Sequence, residues 1–343
     1  MSRPPARRRN ARPDRRMAAL TADSFAAEAA RLAGGALQQP FAIAVSGGAD
    51  SLALMALAAE GFRPQVHVLS VDHGLRADAA GECAMVANLA AGLGLPHQTL
   101  SISIPPGGDL QARARDGRYA AMADWCRANG IGMLMTAHHA DDQAETLLLR
   151  LARGSGLAGL SGVRAKGKID GITLLRPLLA WRRADLAAVV AARGWTAAND
   201  PSNLDPRFDR TRARTLLAGT AWLDPSRLAA GARHLAEAET ALAWAAERAF
   251  ATRAEWHSPA LLLDPEGLPI ELRRRLLTDG LRAFGHEPDG PSLVRLLARL
   301  ETGHSGTLGP VQAKATNGRW MLKPIAGRRK NGLSREASGG NAP

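Results

Sequence analysis

Short apolar runs alternate with helix-like segments over the first half of the chain. Phe41-Ala42-Ile43-Ala44-Val45 reads as a buried strand, and Leu52 to Glu60 as a helix. Val66-His67-Val68-Leu69-Ser70-Val71 reads as a second strand, ending at Asp72-His73, and residues 78–93 follow as a helix. His97 to Ile104 alternates with the strand period, Pro105-Pro106-Gly107-Gly108 is a turn, and residues 110–128 have helical spacing. Gly132-Met133-Leu134-Met135-Thr136-Ala137 is another buried strand, ending at His138-His139, and residues 141–153 form a helix closed by Gly154 and Gly156. This alternation predicts an α/β fold: a Rossmann-like parallel sheet of about five strands with helices on both faces.

The alternation ends near residue 180. Residues 182–193 predict one more helix, and Asn199 to Pro206 is rich in turn formers. Residues 226–253 and 270–300 are Ala/Leu/Arg-rich with helical spacing, and residues 305–325 contain short strand-like pieces. The predicted organisation is a basic disordered tail at 1–20, an α/β domain at 21–220, a mostly helical domain with short strands at its end at 221–326, and a second disordered tail at 327–343.

Composition narrows the class. A chain of 343 residues suggests about two domains. No run of about 18 uncharged apolar residues is present, so no membrane span is expected. Cys83 and Cys126 form no Cys-x-x-Cys pair, and buried free thiols in a reducing cytoplasm are the expectation. The net charge of +12 is mostly terminal: residues 1–16 carry +6 and residues 328–343 carry +3, leaving +3 for the body. The overall charge is therefore poor evidence for a nucleic-acid-binding core, although such tails add non-specific attraction to polyanions.

The candidate chemistry falls at strand ends, where ligands sit in parallel sheets. Ser46-Gly47-Gly48-Ala49-Asp50-Ser51 joins the first strand to its helix, so backbone N–H groups and a helix N-terminus can cradle a phosphate. Gly47 and Gly48 allow close approach, Ser46 and Ser51 add hydroxyls, and Asp50 can hold Mg2+ against the same oxygens. No Gly-Lys-Ser/Thr follows, which excludes the phosphate loop of ATPases and GTPases. His138, Asp141, Asp142 and Glu145 form an acidic cluster able to hold a cation, either magnesium or a substrate ammonium. A two-metal hydrolase site and a solvated helix start are rival readings of it. Arg115 and Arg118 lie one helical turn apart and can grip a phosphate, and Arg207, Arg210, Arg212 and Arg214 can contact RNA or triphosphate.

Taken together, these motifs resemble the N-type ATP pyrophosphatase, or PP-loop, family, with its adenine nucleotide alpha hydrolase-like fold, and within it the tRNA-isoleucine lysidine synthetases. The resemblance rests on Ser46–Ser51, Val71-Asp72-His73-Gly74-Leu75-Arg76, Ala114-Arg115-Asp116-Gly117-Arg118-Tyr119 and the run from Ala137 to Thr146. Arg153-Gly154-Ser155-Gly156, Arg176-Pro177-Leu178-Leu179 and Asp200-Pro201-Ser202-Asn203 continue it in the family's order. Thr211 stands where the family usually has Asn, and only residues 301–325 stand in for the family's longer C-terminal domain.

The resemblance implies a cytoplasmic carbon–nitrogen ligase that uses ATP and Mg2+. ATP phosphates would lie on residues 46–51, with Arg115 assisting and adenosine near Asp72 and His73. Arg118, Arg207, Arg210, Arg212 and Arg214 would meet an isoleucine tRNA with a CAU anticodon. Its wobble cytidine would be adenylated and then joined at C2 to free L-lysine. The product, lysidine, changes codon reading from AUG to AUA and charging from methionine to isoleucine. Asp141, Asp142 and Glu145 would orient the lysine amine, and His138 would be a base. The alternative is another PP-loop tRNA-modifying enzyme such as a tRNA thiolase, although these generally need cysteine pairs. A homodimer is left open.

Overall fold

A computed structural model describes residues 19–74, 79–104, 107, 110–198 and 209–325. The expectations on Leu75-Arg76, Asp200-Pro201-Ser202-Asn203, Arg207 and most of both basic tails lie outside these residues. The chain divides into two compact units between Glu237 and Ala238.

The first unit opens with α1 (Ala22–Ala33), capped by Thr21. Next come β1 (Phe41–Ala44), α2 (Ala49–Phe62), β2 (Val66–Asp72), α3 (Ala79–Gly92), β3 (His97–Ser101), α4 (Leu110–Ala128) and β4 (Met133–Met135). After these come α5 (Ala140–Ala152), α6 (Leu157–Leu160), β5 (Lys166–Ile169), β6 (Ile172–Leu175), α7 (Arg183–Ala192) and α8 (Asp209–Gly219). The strands form one sheet of six in the order β3-β2-β1-β4-β6-β5. Its first five strands are mutually parallel, as expected.

The sixth strand is an addition to the expectation. β5 runs antiparallel to β6 through a hairpin at Asp170-Gly171, where both residues take positive φ (44° and 86°). Asp-Gly is a known hairpin signal. The strand before it, Lys-Gly-Lys-Ile, is too polar to stand out as a buried run.

The alternation of strand side chains produces two cores. Phe41, Ile43, Val66 and Val68 face one way, with Phe25, Leu52, Met55, Val86 and Leu186 from α1, α2, α3 and α7. Ala42, Leu69, Leu134, Ile172 and Leu174 face the other, with Met122 and Cys126 from α4. Helix α2 is apolar nearly all round, and Ser51 to Ala59 are all buried. Full burial of a leucine such as Leu52 or Leu54 contributes about 2 kcal/mol. This anchors the helix that follows the glycine turn.

The strand order also locates a site. From β1 the chain proceeds outward through β2 and β3, then returns to place β4 on the other side of β1. Ala42 pairs with Leu134 and Ile43 with Met135. The carboxyl ends of β1 and β4 are thus neighbours at a reversal of strand order, where α/β sheets bind ligands.

Helix α9 (Pro225–Arg253) carries the boundary between the two compact units inside it. Its first turns belong to the first unit, with Ala229 and Ala232 buried. The second unit adds β7 (Ala254–His257), β8 (Ala260–Leu263), α10 (Ile270–Arg282), α11 (Gly290–Glu301), β9 (Ser305–Leu308), β10 (Val311–Thr316) and β11 (Arg319–Pro324). The expected helical segments are present, the second as two helices. The sheet they cover is larger than the expected short pieces: five antiparallel strands in the order β7-β8-β11-β10-β9. The leucines of α10 and α11 pack on it with Leu261, Leu263, Val311 and Trp320. Gly280 permits this contact, since a Cβ there would meet Leu263 Cδ1 at 2.8 Å. Among the described residues no helix is long and apolar enough to cross a membrane.

Candidate active site at the reversal of strand order

The turn from β1 into α2 is built to expose backbone donors. Gly48 is the N-cap of α2 and supplies no side chain to cover the first N–H groups. Ser51 braces the turn from within: its Oγ accepts from Ser46 N–H at 3.1 Å and donates to the Gly48 carbonyl at 2.9 Å. Gly47 has φ +87°, and a Cβ there would sit 3.0 Å from Met85 Cε. Its carbonyl accepts from Ala198 N–H at 2.9 Å. The result is a fixed, positively polarised concavity of the kind that takes a phosphate.

Asp50 follows in the first turn of α2. Its Oδ1 is buried with no hydrogen-bond partner. Its Oδ2 lies 3.4 Å from His139 Nε2 and 3.5 Å from Arg183 Nη2. Burial alone would raise the Asp50 carboxyl, but His139 and Arg183 outweigh it and hold it below the usual carboxylate range. An ionised, buried oxygen without a partner is costly unless a ligand completes it. Magnesium characteristically takes one or two carboxylates and fills its remaining positions with phosphate oxygens and water. Among the described residues no group of three or more His, Cys, Asp or Glu side chains could hold a metal by itself. Asp50 therefore fits a metal shared with bound phosphates rather than an all-protein cage.

His139, from the end of β4, joins this turn to α5. It is the N-cap of α5, 1% exposed. Its backbone N–H donates to Asp142 Oδ2 at 3.1 Å, and its Nδ1 accepts from Asp142 N–H at 3.4 Å. Its Nδ1 is also 3.7 Å from Asp141 Oδ2. Burial would lower its pKa, but Asp50, Asp142 and Asp141 reverse the direction and raise it. Three carboxylates thus favour the charged form of His139, a placement the sequence reading missed when it singled out His138. The missed signal was the N-cap position itself, since a residue three before Asp142 shares that capping box.

His138 sits in the opposite kind of surroundings. Its Nδ1 is 2.9 Å from Thr136 Oγ1. Burial, together with Arg176, Arg115 and Arg210, lowers its pKa to about 4 against the pull of Asp142. Its imidazole is therefore neutral at neutral pH.

The other predicted acids already have partners. Asp141 accepts a forked pair from Arg182, at 3.1 Å from Nε and 3.0 Å from Nη2, and the Arg183 N–H at 2.8 Å. Burial works against its charge, but these donors lower its pKa. Glu145, 2% exposed, accepts from Arg214 Nε at 2.9 Å. Arg214 therefore serves an internal carboxylate, while Arg210 and Arg212 are exposed on α8. Asp72 and His73 end β2, and Asp72 Oδ1 accepts the Gly74 N–H at 2.9 Å. Arg115 and Arg118 lie on α4. Arg182 and Arg183, at the start of α7, were not anticipated as site residues.

The run after α5 is pinned to this edge. Gln143 accepts from Val163 N–H at 2.6 Å and donates to the Val163 carbonyl at 2.7 Å. Arg150 donates to the Gly159 and Gly162 carbonyls at 2.5 and 3.1 Å. These bonds tie the segment 159–163 to α5.

The comparisons with known proteins agree with this geometry. A family model described as a PP-loop domain matches residues 21–220. A tRNA(Ile)-lysidine synthase from Novosphingobium aromaticivorans is 48% identical over 284 residues, covering 82% of this chain and 87% of that protein. One from Zymomonas mobilis is 43% identical, covering 78% and 84%. Among solved structures, a U34-tRNA thiolase, NcsA, from Methanococcus maripaludis with its 4Fe-4S cluster is similar with a TM-score of 0.52. It shares 14% identity over 63% of this chain and 78% of that one, a likeness of fold alone. The identity and coverage of the first two relatives are decisive, and the chain belongs to the tRNA(Ile)-lysidine synthase family of PP-loop proteins.

Proposed function

We propose that this protein joins L-lysine to C2 of the wobble cytidine of an isoleucine tRNA with a CAU anticodon, at the expense of ATP. The observation that carries this reading is the contact of Asp50 with His139. It makes one site of a phosphate turn and an acidic strand end nearly ninety residues apart.

In this reading the turn at Ser46–Ser51 holds the ATP phosphates with its backbone donors, and Asp50 Oδ1 holds a magnesium ion there. The magnesium supplies charge neutralisation on the phosphate oxygens. The cytidine O2 attacks the α-phosphorus, the bond from that phosphorus to the bridging oxygen breaks, and pyrophosphate leaves. Fixed N–H donors favour this because charge develops on the leaving oxygens. The lysine ε-amine, after losing a proton, attacks C2, and the C2–oxygen bond breaks to release AMP.

The proton needs an acceptor, and neutral His138 is one. Asp142 strengthens it, because its charge raises the proton affinity of that imidazole. With Asp141 and Glu145 tied to arginines, Asp142, which accepts the His139 N–H, is assigned to orient the incoming ammonium. The exposed Arg210 and Arg212, with Arg207, suit the tRNA backbone.

Cys83 and Cys126 are buried free thiols. Burial raises both, Cys126 to about 11. Sulfur transfer requires a thiolate, so the chemistry of these thiols supports ligation over thiolation.

The test is incubation with ATP, radiolabelled lysine and an isoleucine tRNA(CAU) transcript, followed by nucleoside analysis. Labelled lysidine with stoichiometric AMP and pyrophosphate is the expected result. ADP as the main product, or label that never enters the tRNA, contradicts the reading.

A further inference from the structure

Several arginines among the described residues are matched to acids. Arg182 faces Asp141, Arg214 faces Glu145, and Arg275 faces Glu239 and Glu271. Arg115 and Arg176, which act on His138, and Arg118, which neighbours Arg115, have no such partner among the described residues. Arg115 lies over the Tyr119 ring, 5.3 Å from its centroid. Arg118, one turn along the same face of α4, is largely buried without a carboxylate partner among the described residues. Arg176, directly after β6, donates from Nη1 to the Arg164 carbonyl at 2.7 Å, while its Nε is buried with no hydrogen-bond partner.

The fold forces these cations together. β4 and β6 are parallel neighbours, with Met135 opposite Leu175, and Thr136 N–H donates to the Leu175 carbonyl at 3.0 Å. Arg176 therefore leaves the sheet beside the strand that ends at His138. Arg115 acts on Arg118, on Arg176 and on His138 as a repelling charge, and burial lowers both Arg118 and Arg176. Tyr119, which lies under Arg115, is also hydrogen-bonded to Arg176, so the ring joins the two cations. Half-buried guanidinium groups without a carboxylate destabilise a free protein unless an anion neutralises them. Planar forked donors suit phosphate oxygens best.

We propose that Arg176, with Arg115 and Arg118, forms a phosphate-binding site beside His138, distinct from the glycine turn. The proposal rests on the lysidine-forming reading above, which supplies two phosphates able to reach His138: one from the nucleotide and one from the tRNA backbone at the wobble residue. It joins into one site two arginines that the family resemblance sends to different ligands, and adds Arg176, which had no assigned role.

The test uses the full chain and equilibrium binding of ATP and of the tRNA(CAU) transcript, with thermal unfolding in the presence and absence of inorganic phosphate. Arg176→Gln is expected to weaken one of the two ligands about tenfold or more, as expected for loss of a charge-assisted contact. Weaker tRNA binding, with a salt slope smaller by about one, identifies the backbone phosphate. Weaker ATP binding at unchanged tRNA affinity identifies the nucleotide phosphate. Inorganic phosphate is expected to raise the Tm of the wild type more than that of the variant.

Arg118→Gln is the second variant, should Arg176→Gln fail to fold. Its ligand-free Tm is expected to equal or exceed the wild-type value, because it removes an unmatched buried charge. Affinities within twofold of wild type for both ligands, or a fall in Tm with unchanged binding, overturn the proposal. These binding measurements need no turnover. A failure of the lysidine assay is therefore distinguishable from a failure of this site.

Discussion

The two units differ in how completely their arginines meet acids. In the second, arginines and acids neutralise each other: Arg275 donates to Glu239 at 2.6 and 3.0 Å and to Glu271 at 2.7 Å, and Arg282 lies between Asp279 and Glu287. In the first, the edge where β1 and β4 end keeps Asp50 Oδ1 and Arg176 Nε buried without hydrogen bonds. Arg115, close to that edge, has no acid partner among the described residues. Charge in the second unit stabilises a fold, whereas charge at this edge of the first is left incomplete for a ligand. Buried polar atoms without partners are rare enough that two at one edge mark a binding site.

The largest effect expected from breaking that contrast is at Asp50. Asp50→Ala should reduce pyrophosphate release from ATP by a hundredfold or more, the scale of losing a charge that acts on the transferring phosphoryl group, with the protein still folded by circular dichroism. Unchanged turnover removes the glycine turn from the mechanism. His138→Gln should slow lysine transfer by about a hundredfold while sparing adenylation, measured as separate AMP and pyrophosphate yields.

In the second unit, Arg275→Ala should lower stability by about 3 kcal/mol in urea unfolding, because Glu239 is then buried and unpaired. ATP affinity should not change. Loss of ATP binding in that variant would show that the two units are not separable in this way. Smaller still, Arg153→Ala breaks an exposed pair with Asp209 and should change stability by less than about 1 kcal/mol.

The two histidines sharpen the comparison through pH. His138 in the folded protein titrates at about 4, below the usual 6.5. The folded state therefore binds fewer protons than the unfolded one between those values. The contribution of neutral His138 is present above 6.5 and lost as pH falls toward 4. His139 is raised, so its contribution is complete below 6.5 and lost as pH rises through its folded value. In urea unfolding across pH 4 to 8, His138→Gln should flatten the acid limb and His139→Gln the alkaline limb. Identical profiles for both variants contradict the assignment.

The glycine turn and strands β1, β2 and β4 were legible in the sequence, the strands as short apolar runs bounded by polar ends, and β3 was legible by its alternation, while β6 was passed over. β5 and β7 were not legible either, since edge strands such as Lys-Gly-Lys-Ile and Ala-Glu-Trp-His carry no apolar run. At the site, residues adjacent in sequence were legible and their partners were not. Asp141 and Glu145 share a helix face as their spacing requires. That each is already held by an arginine, Arg182 or Arg214, depends on α7 and α8 folding back onto α5. Spacing likewise could not tell His138 from His139, because the difference lies in which carboxylates and arginines surround each ring.

The most direct measurement is a crystal structure with magnesium and a non-hydrolysable ATP analogue. The account predicts the β- and γ-phosphates on the backbone N–H groups of the Ser46–Ser51 turn, with a metal ion in contact with Asp50. Nucleotide bound elsewhere, with that turn empty and Asp50 still facing only His139 and Arg183, would contradict it.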